Sequence, residues 1–393
     1  MMLIDMKNKK VFSAIAIAAV VAVIVSCCTV LIVSDKVRAY LSSFVYADEF
    51  RNEQPFSIYY FDLLNETEKK AYIRIFEKIS SHPQYIKIPE LSAEEFNNVY
   101  FAVKNDNPDM LCFSDSCSMI SFWSASFIEL NYSHSVEECD LMQNELQKEI
   151  DGIISEMPEF ESDFEKELYL HDYVVSTCTY SEASNSSSAY GCLIEKKAVC
   201  SGYSRAVMLL MKTAGIDTIL VGGTGLSPTQ GRISHMWNVV WLDGDPYHLD
   251  ATWDDPGVDD NITHLYFNLS DRDISSDHTD YKLSFECITE MYNYFRYNDL
   301  YFGGYGKNEL KIIQTKLYSN IKNGINNLEI QFEKDADYNC AVSAITAGDG
   351  IDSDMYKIIS YISTKAGEKV DVSHVNFASD DNKKYIRLMF DWN

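Results

Sequence analysis

The segment from His235 to Asp250 constrains the fold more than any other part of the chain. Its side chains alternate up to Leu242, as in a strand with one buried face, and the pair Asp243-Gly244 follows. Asp-Gly between two strand-like runs is typical of a two-residue hairpin turn. The pairs predicted across this hairpin are Leu242 with Asp245, Val239 with His248, and Trp237 with Asp250.

In this register Asp250 shares a face with His235, one diagonal step away. A three-residue loop would shift the register by one residue and turn Asp250 to the opposite face. His248 lies on the same face as Asp250, but its cross-strand neighbour is Val239. We therefore interpret His248 as a structural or edge histidine and His235 as the functional one.

A helix is predicted after Cys200. Apolar residues recur at helical spacing up to Ala214, and Gly215 stands where a C-terminal cap is expected. Cys200 then lies in the first turn, where unpaired N–H groups and the positive end of the helix dipole favour the thiolate. A thiolate, a histidine base and an orienting carboxylate form a nucleophilic arrangement. The sequence supplies Cys200, His235 and Asp250 for these roles.

Three blocks of sequence show a family resemblance. They read Val199-Cys200-Ser201-Gly202-Tyr203, His235-Met236-Trp237-Asn238 and Asp250-Ala251-Thr252-Trp253-Asp254-Asp255-Pro256. In this order they resemble the signature blocks of the transglutaminase-like superfamily, which shares the papain-type fold. Upstream, Leu168 through Tyr173 resembles the helix that precedes the cysteine in bacterial members. The resemblance covers about residues 163 to 257.

The resemblance implies a Cys200-His235-Asp250 triad and acyl transfer through a thioester. It leaves open whether water or an amine accepts the acyl group, and some relatives serve as binding modules instead. Papain-like enzymes offer a glutamine side chain to the oxyanion several residues before the cysteine. The corresponding stretch here, Tyr190 to Glu195, contains no glutamine. We therefore expect the Cys200 amide and a second, unidentified donor to stabilise the oxyanion.

Charge restricts the partners of this chain. Its 393 residues carry a net charge of −26, and 46% of them are hydrophobic, as expected for a folded protein of two or three domains. Such an acidic surface repels nucleic acid and anionic lipid headgroups. We expect a peptide or protein substrate, or a cell-envelope component, and no nucleic acid.

No cofactor or metal is expected. Zinc is disfavoured because the spacing of Cys192, Cys200, His235 and His248 fits no usual zinc motif. A calcium loop begun at Asp254 would place Asp259 where the turn needs glycine.

The N-terminal segment predicts attachment to a membrane. Residues 11 to 33 contain no charge and are nearly all apolar, which is about the span of a hydrocarbon core. Lysines between residues 7 and 10 precede them and predict a cytoplasmic N-terminus with an extracytoplasmic catalytic domain. We expect an uncleaved signal anchor, since a cleaved signal peptide has a shorter apolar region. A lipoprotein-like box at residues 24 to 27, with Cys27 as the lipidated residue, is the alternative.

Changes in composition and in the spacing of apolar residues divide the chain into four parts, and the fold class is α+β. They are the anchor at 1–34, a tether and helix-rich N-terminal α+β module at 35–134, a papain-like transglutaminase core at 135–298, and a small C-terminal α+β domain at 299–393. The expected order in the last part is helix, strand, helix, strand, strand.

Several local features have structural interpretations. Ser135 with Glu138 and Ser162 with Glu165 are capping boxes that predict two helices, and Trp123 and Phe127 are expected in a core. His171-Asp172 is interpreted as structural, and Gly222 to Gly225 as a flexible loop. Cys112 and Cys117 are close enough in sequence for a disulfide, although spacing does not fix the connectivity.

These observations favour a membrane-anchored, extracytoplasmic thiol enzyme with Cys200 as nucleophile, His235 as base and Asp250 as orienting group. Hydrolysis of peptide amides, as by a cysteine protease, is preferred because water is always available outside the cell. Protein-glutamine amine transfer and a non-catalytic surface-binding module are the alternatives.

Overall fold

The computed structural model describes residues 54–122, 125–257, 262–347, 353–366 and 375–390. The predicted membrane anchor at residues 11 to 33, with Cys27, lies outside these ranges, as do Trp123 and Asp259. Within the described ranges, no helix has the length and apolar character needed to cross a membrane. The chain divides into two compact units, Met1–Gln143 and Asn144–Asn393.

The described residues of the first unit form helices and a three-stranded antiparallel sheet of order β1-β3-β2. Its elements are α1 (Tyr59–Leu63), α2 (Glu66–Ile79), β1 (Tyr85–Ile88), α3 (Ala93–Asp106), β2 (Phe113–Phe122) and β3 (Ala125–Tyr132). Ile75 of α2, Val99 of α3 and Ile128 of β3 are fully buried in one core. The serine-rich sequence of β2 lacks the apolar alternation that usually indicates a strand.

A disulfide in this unit joins Cys112 to Cys139, at the start of α4 (Val136–Glu156). The Cys112–Cys117 pairing considered from the sequence is therefore wrong, and Cys117 is a free thiol. The reason is that the chain extends into β2 directly after Cys112. Five residues of strand span about 16 Å, whereas bonded cysteines need Cα atoms about 6 Å apart.

Loss of this disulfide should destabilise the first unit. The bond closes a loop with a sequence separation of 27, for which chain entropy gives about 3–4 kcal/mol. We expect Cys139→Ser to lower the free energy of unfolding by this amount, measured with urea. Cys117→Ser, which removes a free thiol of the same unit, is the control. Equal stability of the two variants would contradict the expectation.

The second unit contains the three predicted catalytic residues. Its first strands form a four-stranded antiparallel sheet of order β8-β7-β6-β9 and a parallel pair β4-β5, and of the three residues only His235 lies within a strand of the sheet. Its first elements are α5 (Asp163–Thr177), β4 (Thr179–Tyr180), α6 (Ala189–Leu193), β5 (Lys197–Ala198), α7 (Cys200–Thr213), β6 (Thr218–Ser227), β7 (Gly231–Leu242), β8 (Asp245–Leu249), α8 (Asp271–Ile274), β9 (His278–Thr279) and α9 (Tyr294–Tyr297). Helix α7 is almost completely buried.

The predicted two-residue turn is confirmed. Leu242 pairs with Asp245 and Val239 with His248, and Asp243 and Gly244 both have positive φ, as this turn requires. The ladder ends one step earlier than predicted, at Asn238 opposite Leu249. Beyond that point the Asp250 N–H donates to the carbonyl of Tyr266 instead of pairing with Trp237.

The segment Gly222 to Gly225 is not a loop, contrary to the prediction; it lies within β6 and pairs with β7. Aromatic rings pack directly against the backbone at two of its glycines, and a side chain at either position would collide with them. A Cβ atom at Gly223 would lie 2.7 Å from the Trp237 ring, and one at Gly225 would lie 2.9 Å from the Trp253 ring. Glycine is needed here for close packing within a strand, which composition alone does not distinguish from a loop.

The C-terminal part belongs to the same compact unit as the catalytic residues. It contains β10 (Tyr301–Phe302), α10 (Lys307–Lys322), β11 (Asn327–Phe332), α11 (Asp335–Ile345), α12 (Asp354–Ala366), β12 (Val375–Asp380) and β13 (Tyr385–Phe390), with a sheet of order β10-β11-β13-β12. The elements β10 and α11 are additions to the predicted order. The first of the two strands expected at the end of the chain falls at residues 370 to 375 of the sequence, and most of these lie outside the described residues.

Candidate functional site

Cys200 is the first residue of α7 and is half-buried. The N–H groups of Gly202 and Tyr203 donate to the carbonyl of Val199, which starts the helix. Gly202 is needed at this turn, because a Cβ atom there would lie 2.3 Å from the carbonyl oxygen of Ser186. The thiol is free and lies at the positive end of the helix, as predicted.

Two polar side chains fix α7 against β7. The Ser204 hydroxyl lies 2.8 Å from the Cys200 carbonyl oxygen and 2.9 Å from that of Met236. The Asn238 amide donates to the Ser204 carbonyl at 3.0 Å. These contacts span the helix that begins with the nucleophile and the strand that contains His235, so they set the separation of the two.

His235 is buried in β7, opposite Gly223. Its Nε2 lies 2.6 Å from Asp250 Oδ2, and Cys200 is close enough to the ring to act on its pKa. With Nε2 engaged by Asp250, Nδ1 is the nitrogen left for the sulfur. Burial lowers the pKa of His235, but the charge of Asp250, the hydrogen bond to it and the contact with Cys200 raise this pKa to about 10.

Asp250 is fully buried and remains ionised. Burial raises the pKa of its carboxyl group, but the charge and hydrogen bonds of two histidines lower it well below the usual range. Its Oδ1 accepts the backbone N–H of Thr252 at 3.0 Å, which fixes the side chain at the end of the hairpin. The structure thus brings Cys200, His235 and Asp250 together, and their catalytic roles stay predictions.

The second of those histidines, His278, was not predicted. It lies in β9, is buried, and its Nε2 is 3.0 Å from the same Asp250 Oδ2 that His235 contacts. Its Nδ1 is 2.8 Å from Asp277 Oδ1. A lone histidine in an irregular stretch offers no periodic signal; only the pairing of β9 with β6 places it beside the site.

His248 has the structural role assigned to it from the sequence. Its Nδ1 accepts a hydrogen bond from Trp237 Nε1 at 3.0 Å, and its Nε2 lies 2.9 Å from Asp271 Oδ1. Because Nδ1 is an acceptor, the ring is neutral, and burial lowers its pKa in spite of Asp271. His248 therefore packs and orients Trp237 behind His235.

A further set of histidines and carboxylates joins α5 to β11, in the C-terminal part of the same unit. His264 Nε2 lies 3.0 Å from Asp172 Oδ1, and His264 Nδ1 lies 2.5 Å from Glu329 Oε2 in β11. His171 Nδ1 also contacts Asp172 Oδ1, at 2.9 Å, and the structural interpretation of His171-Asp172 stays a prediction. Both nitrogens of His264 face carboxylates, so the ring must be an imidazolium to donate to both.

The stability of this unit should depend on the charge of His264. Burial lowers its pKa, but Tyr294, Asp172 and Glu329 raise it well above the ordinary value. A raised folded-state pKa gives stability that is complete below about pH 6.5 and is lost as pH rises through the folded value. We expect His264→Gln to cost about 3–5 kcal/mol at pH 6.

The difference in free energy of unfolding between wild type and His264→Gln should shrink as pH is raised from 7 towards 10. Urea unfolding at each pH measures it, and circular dichroism of the variant checks that it folds. A difference that does not change over this range would show that the ring is neutral in the folded protein.

Among the residues that the structure describes, three clusters have the ligand types of a metal site: His171, Asp172 and His264; His235, Asp250 and His278; and His248, Asp271 and Cys287. Their ring nitrogens lie between 2.6 and 3.0 Å from the carboxylate oxygens. An ion bound at about 2.0 Å to each atom would hold nitrogen and oxygen roughly 3.3 Å apart. We therefore interpret these clusters as directly hydrogen-bonded sets.

The other cysteines near the nucleophile are also free. Cys192, which lies in α6, is a buried thiol that hydrogen-bonds to Cys178, and it is not bonded to Cys200. Burial raises the pKa of the Cys192 thiol well above the ordinary value. Cys192 is therefore an inert neighbour, and Cys200 is available to react.

The chain is similar to known proteins over part of its length. Residues 155–251 match the model of the Transglutaminase-like superfamily, and no curated protein matches. A solved TGase structure shares 14% identity, with 43% of this chain and 50% of that chain covered and a TM-score of 0.25. A candidate cysteine protease from Cytophaga hutchinsonii shares 14% identity, with 35% and 61% covered and a TM-score of 0.24.

A candidate protease from Parabacteroides distasonis shares 10% identity, with 34% of this chain and 35% of that chain covered and a TM-score of 0.22. This chain therefore spans less than two thirds of each of these proteins. The matched segment contains Cys200, His235 and Asp250, the residues of the site described above. Residues 155–251 are thus a transglutaminase-like core within an α+β fold.

Proposed function

We propose that this protein is a thiol-dependent acyl-transfer enzyme that hydrolyses peptide or protein amides. The observation that supports this most is that Cys200, His235 and Asp250 lie together in the site. His235 Nε2 is 2.6 Å from Asp250 Oδ2, and Cys200 is close enough to the His235 ring to act on its pKa. An imidazolium at His235 stabilises the thiolate of Cys200, and Asp250 holds the ring so that Nδ1 faces the sulfur.

In this mechanism the Cys200 sulfur attacks the amide carbonyl carbon, and the carbonyl oxygen becomes an oxyanion. His235 then donates its Nδ1 proton to the leaving amine as the carbon–nitrogen bond breaks, which leaves a thioester on Cys200. Neutral His235 next takes a proton from water, whose oxygen attacks the thioester. The acid is released, and the thiolate–imidazolium pair is restored.

Tyr180 is the candidate for the missing oxyanion donor. Its strand pairs with the strand leading to the nucleophile, with Tyr180 opposite Ala198, and its side chain is half exposed. Burial and the nearby charge of Cys200 raise the pKa of its hydroxyl, so it is a neutral donor at pH 7. Among the described residues this hydroxyl has no hydrogen-bond partner. It is available to a substrate oxyanion together with the Cys200 amide.

Tyr180→Phe is expected to slow acylation of Cys200 by a peptide active ester about a hundredfold, because one oxyanion donor is lost. Alkylation by iodoacetamide should not change, since attack on a saturated carbon creates no oxyanion. Tyr297→Phe, at a tyrosine of similar exposure, is the control. Equal acylation rates of the two variants would exclude Tyr180 as a donor.

The function itself is tested by incubating the protein with peptide active esters and analysing Cys200 by mass spectrometry. An acyl adduct on Cys200 that disappears in water supports hydrolysis. A product that forms only when a primary amine is added indicates amine transfer, the second candidate. A wild-type protein that never forms the adduct indicates a binding module that kept the fold.

We also propose that the protein is anchored in the cell membrane by residues 11 to 33, with the site on the extracytoplasmic side. The uncharged segment and the preceding lysines support this. Cys340 is exposed and should react with a membrane-impermeant maleimide on intact cells. Labelling only after lysis would contradict the orientation.

A further inference from the structure

A line of hydrogen-bonded groups runs from the candidate triad to the C-terminal domain. Beyond Asp250 it continues through His278 Nε2 at 3.0 Å and from His278 Nδ1 to Asp277 Oδ1 at 2.8 Å. Asp277 Oδ2 in turn lies 2.7 Å from the ammonium group of Lys383. Lys383 belongs to the turn between β12 and β13, so the C-terminal domain contributes the last group.

Both ring nitrogens of His278 face carboxylates. A neutral imidazole has one N–H and satisfies only one such acceptor, whereas an imidazolium satisfies both. The titratable groups around the ring are Asp250, Asp277, His235, His248 and Tyr266, and the rings of Trp237 and Trp253 also pack against it. Burial lowers the pKa of His278 and so does the charge of His235, but the two carboxylates outweigh them and raise it.

Charges alternate in sign along this line. His235, His278 and Lys383 are the cations, and Asp250 and Asp277 are the anions between them. Asp250 Oδ2 is therefore held from two sides, by His235 and by His278. The Thr252 N–H holds Asp250 Oδ1, and the contact with His278 holds Oδ2 in addition, so that both oxygens stay in place relative to the His235 ring.

Lys383 has a corresponding effect on Asp277. Its ammonium group and the Tyr266 hydroxyl, at 2.8 Å, share Asp277 Oδ2, which leaves Oδ1 for His278. Lys383 also lies over the Tyr266 ring, 4.5 Å from its centroid, and its side chain is 16% exposed. The position of Asp277 thus depends on the hairpin of the C-terminal domain.

We propose that His278 is a positioning residue of the site, held as an imidazolium between Asp250 and Asp277, and that Lys383 of the C-terminal domain keeps Asp277 in place for it. The C-terminal domain then completes the site instead of being an appendage. This inference rests on the proposed function, because it concerns how the triad is positioned.

The first test examines His278 without reference to catalysis. The full-length chain, purified in detergent with ¹⁵N-labelled histidine, is examined by NMR at pH 7.5, and His278→Gln identifies the His278 signals. Two protonated ring nitrogens are expected. A neutral His278 ring would overturn the proposal whether or not the protein is an enzyme.

The second test measures the rate at which iodoacetamide alkylates Cys200 at pH 6.5. We expect Lys383→Met to slow it about tenfold, the effect of losing one charged hydrogen bond, and Lys383→Arg to restore most of the rate. Lys384→Met is the control, since Lys384 lies 3.8 Å from Asp335 and not on the line. His278→Gln should be at least as slow as Lys383→Met.

Equal rates for Lys383→Met and Lys384→Met would overturn the proposal, as would a wild-type rate in His278→Gln. The proposed function fails separately, if wild-type Cys200 alkylates normally but never accepts an acyl group from an ester. Thermal unfolding of each variant distinguishes a folded protein whose Cys200 is alkylated slowly from a protein that has not folded.

Discussion

Replacing Cys200 with alanine is expected to abolish acyl transfer. The sulfur is the atom that forms the thioester, and no other group in the site can take its place: Cys192 and Cys178 are buried thiols bonded to each other by a hydrogen bond. The expected loss is at least about a thousandfold in the rate of ester turnover. Turnover of a peptide active ester, with mass spectrometry of the trapped adduct, measures it.

Cys340→Ala is the matched control, because Cys340 is exposed in α11 and distant in sequence from the site. It should turn over ester at the wild-type rate. If Cys200→Ala retains that rate and Cys340→Ala does not, the nucleophile has been assigned wrongly. Cys200→Ser, which keeps the shape of the side chain but not the thiolate, should resemble Cys200→Ala.

Asp250→Asn should reduce acyl transfer about a thousandfold or more. An amide N–H at this position would face the Nε2 atoms of His235 and His278, which both now donate to the carboxylate. The rings would have to change tautomer or turn away, and His235 would no longer present the correct nitrogen to Cys200. The same change should destabilise the unit by about 3–5 kcal/mol, because it leaves buried cations without their anion.

The stability loss should depend on pH. The pKa of Asp250 is lowered in the folded protein, so its contribution is present above the unfolded value near 4; the pKa of His235 is raised to about 10, so its contribution fades as pH approaches 10. The difference between wild type and variant should therefore be largest between about pH 5 and 7. Asp245→Asn, at an exposed position of the same hairpin, should show neither effect.

The local part of the site could be predicted from the sequence because local chemistry determines it. Asp243-Gly244 favours a turn with positive φ at both positions, and this alone sets which residues of β7 and β8 face each other. The helix at Cys200 follows likewise from apolar spacing and its glycine cap. Both features depend on residues that are close together in the chain.

The remaining part of the site depends on contacts between distant segments. His278 reaches Asp250 only because β9 adds to the edge of β6, a pairing of two residues that leaves no periodic pattern. The glycines of β6 seemed to indicate a loop, since the aromatic rings that require them lie on other elements. Likewise, the disulfide from Cys112 to Cys139 depends on how the chain brings the two residues together, which their spacing in the sequence does not indicate.

The rate of Cys200 alkylation by iodoacetamide between pH 5 and 9 is the most direct measurement, made on wild type and His235→Ala and read by mass spectrometry. A free cysteine is mostly protonated at pH 6 and reacts slowly. We expect wild-type Cys200 to react rapidly at pH 6 and His235→Ala to react slowly there, because the variant lacks the imidazolium that activates the sulfur. If both proteins react slowly at pH 6 with the same profile, Cys200 is an ordinary thiol and the proposed chemistry is wrong.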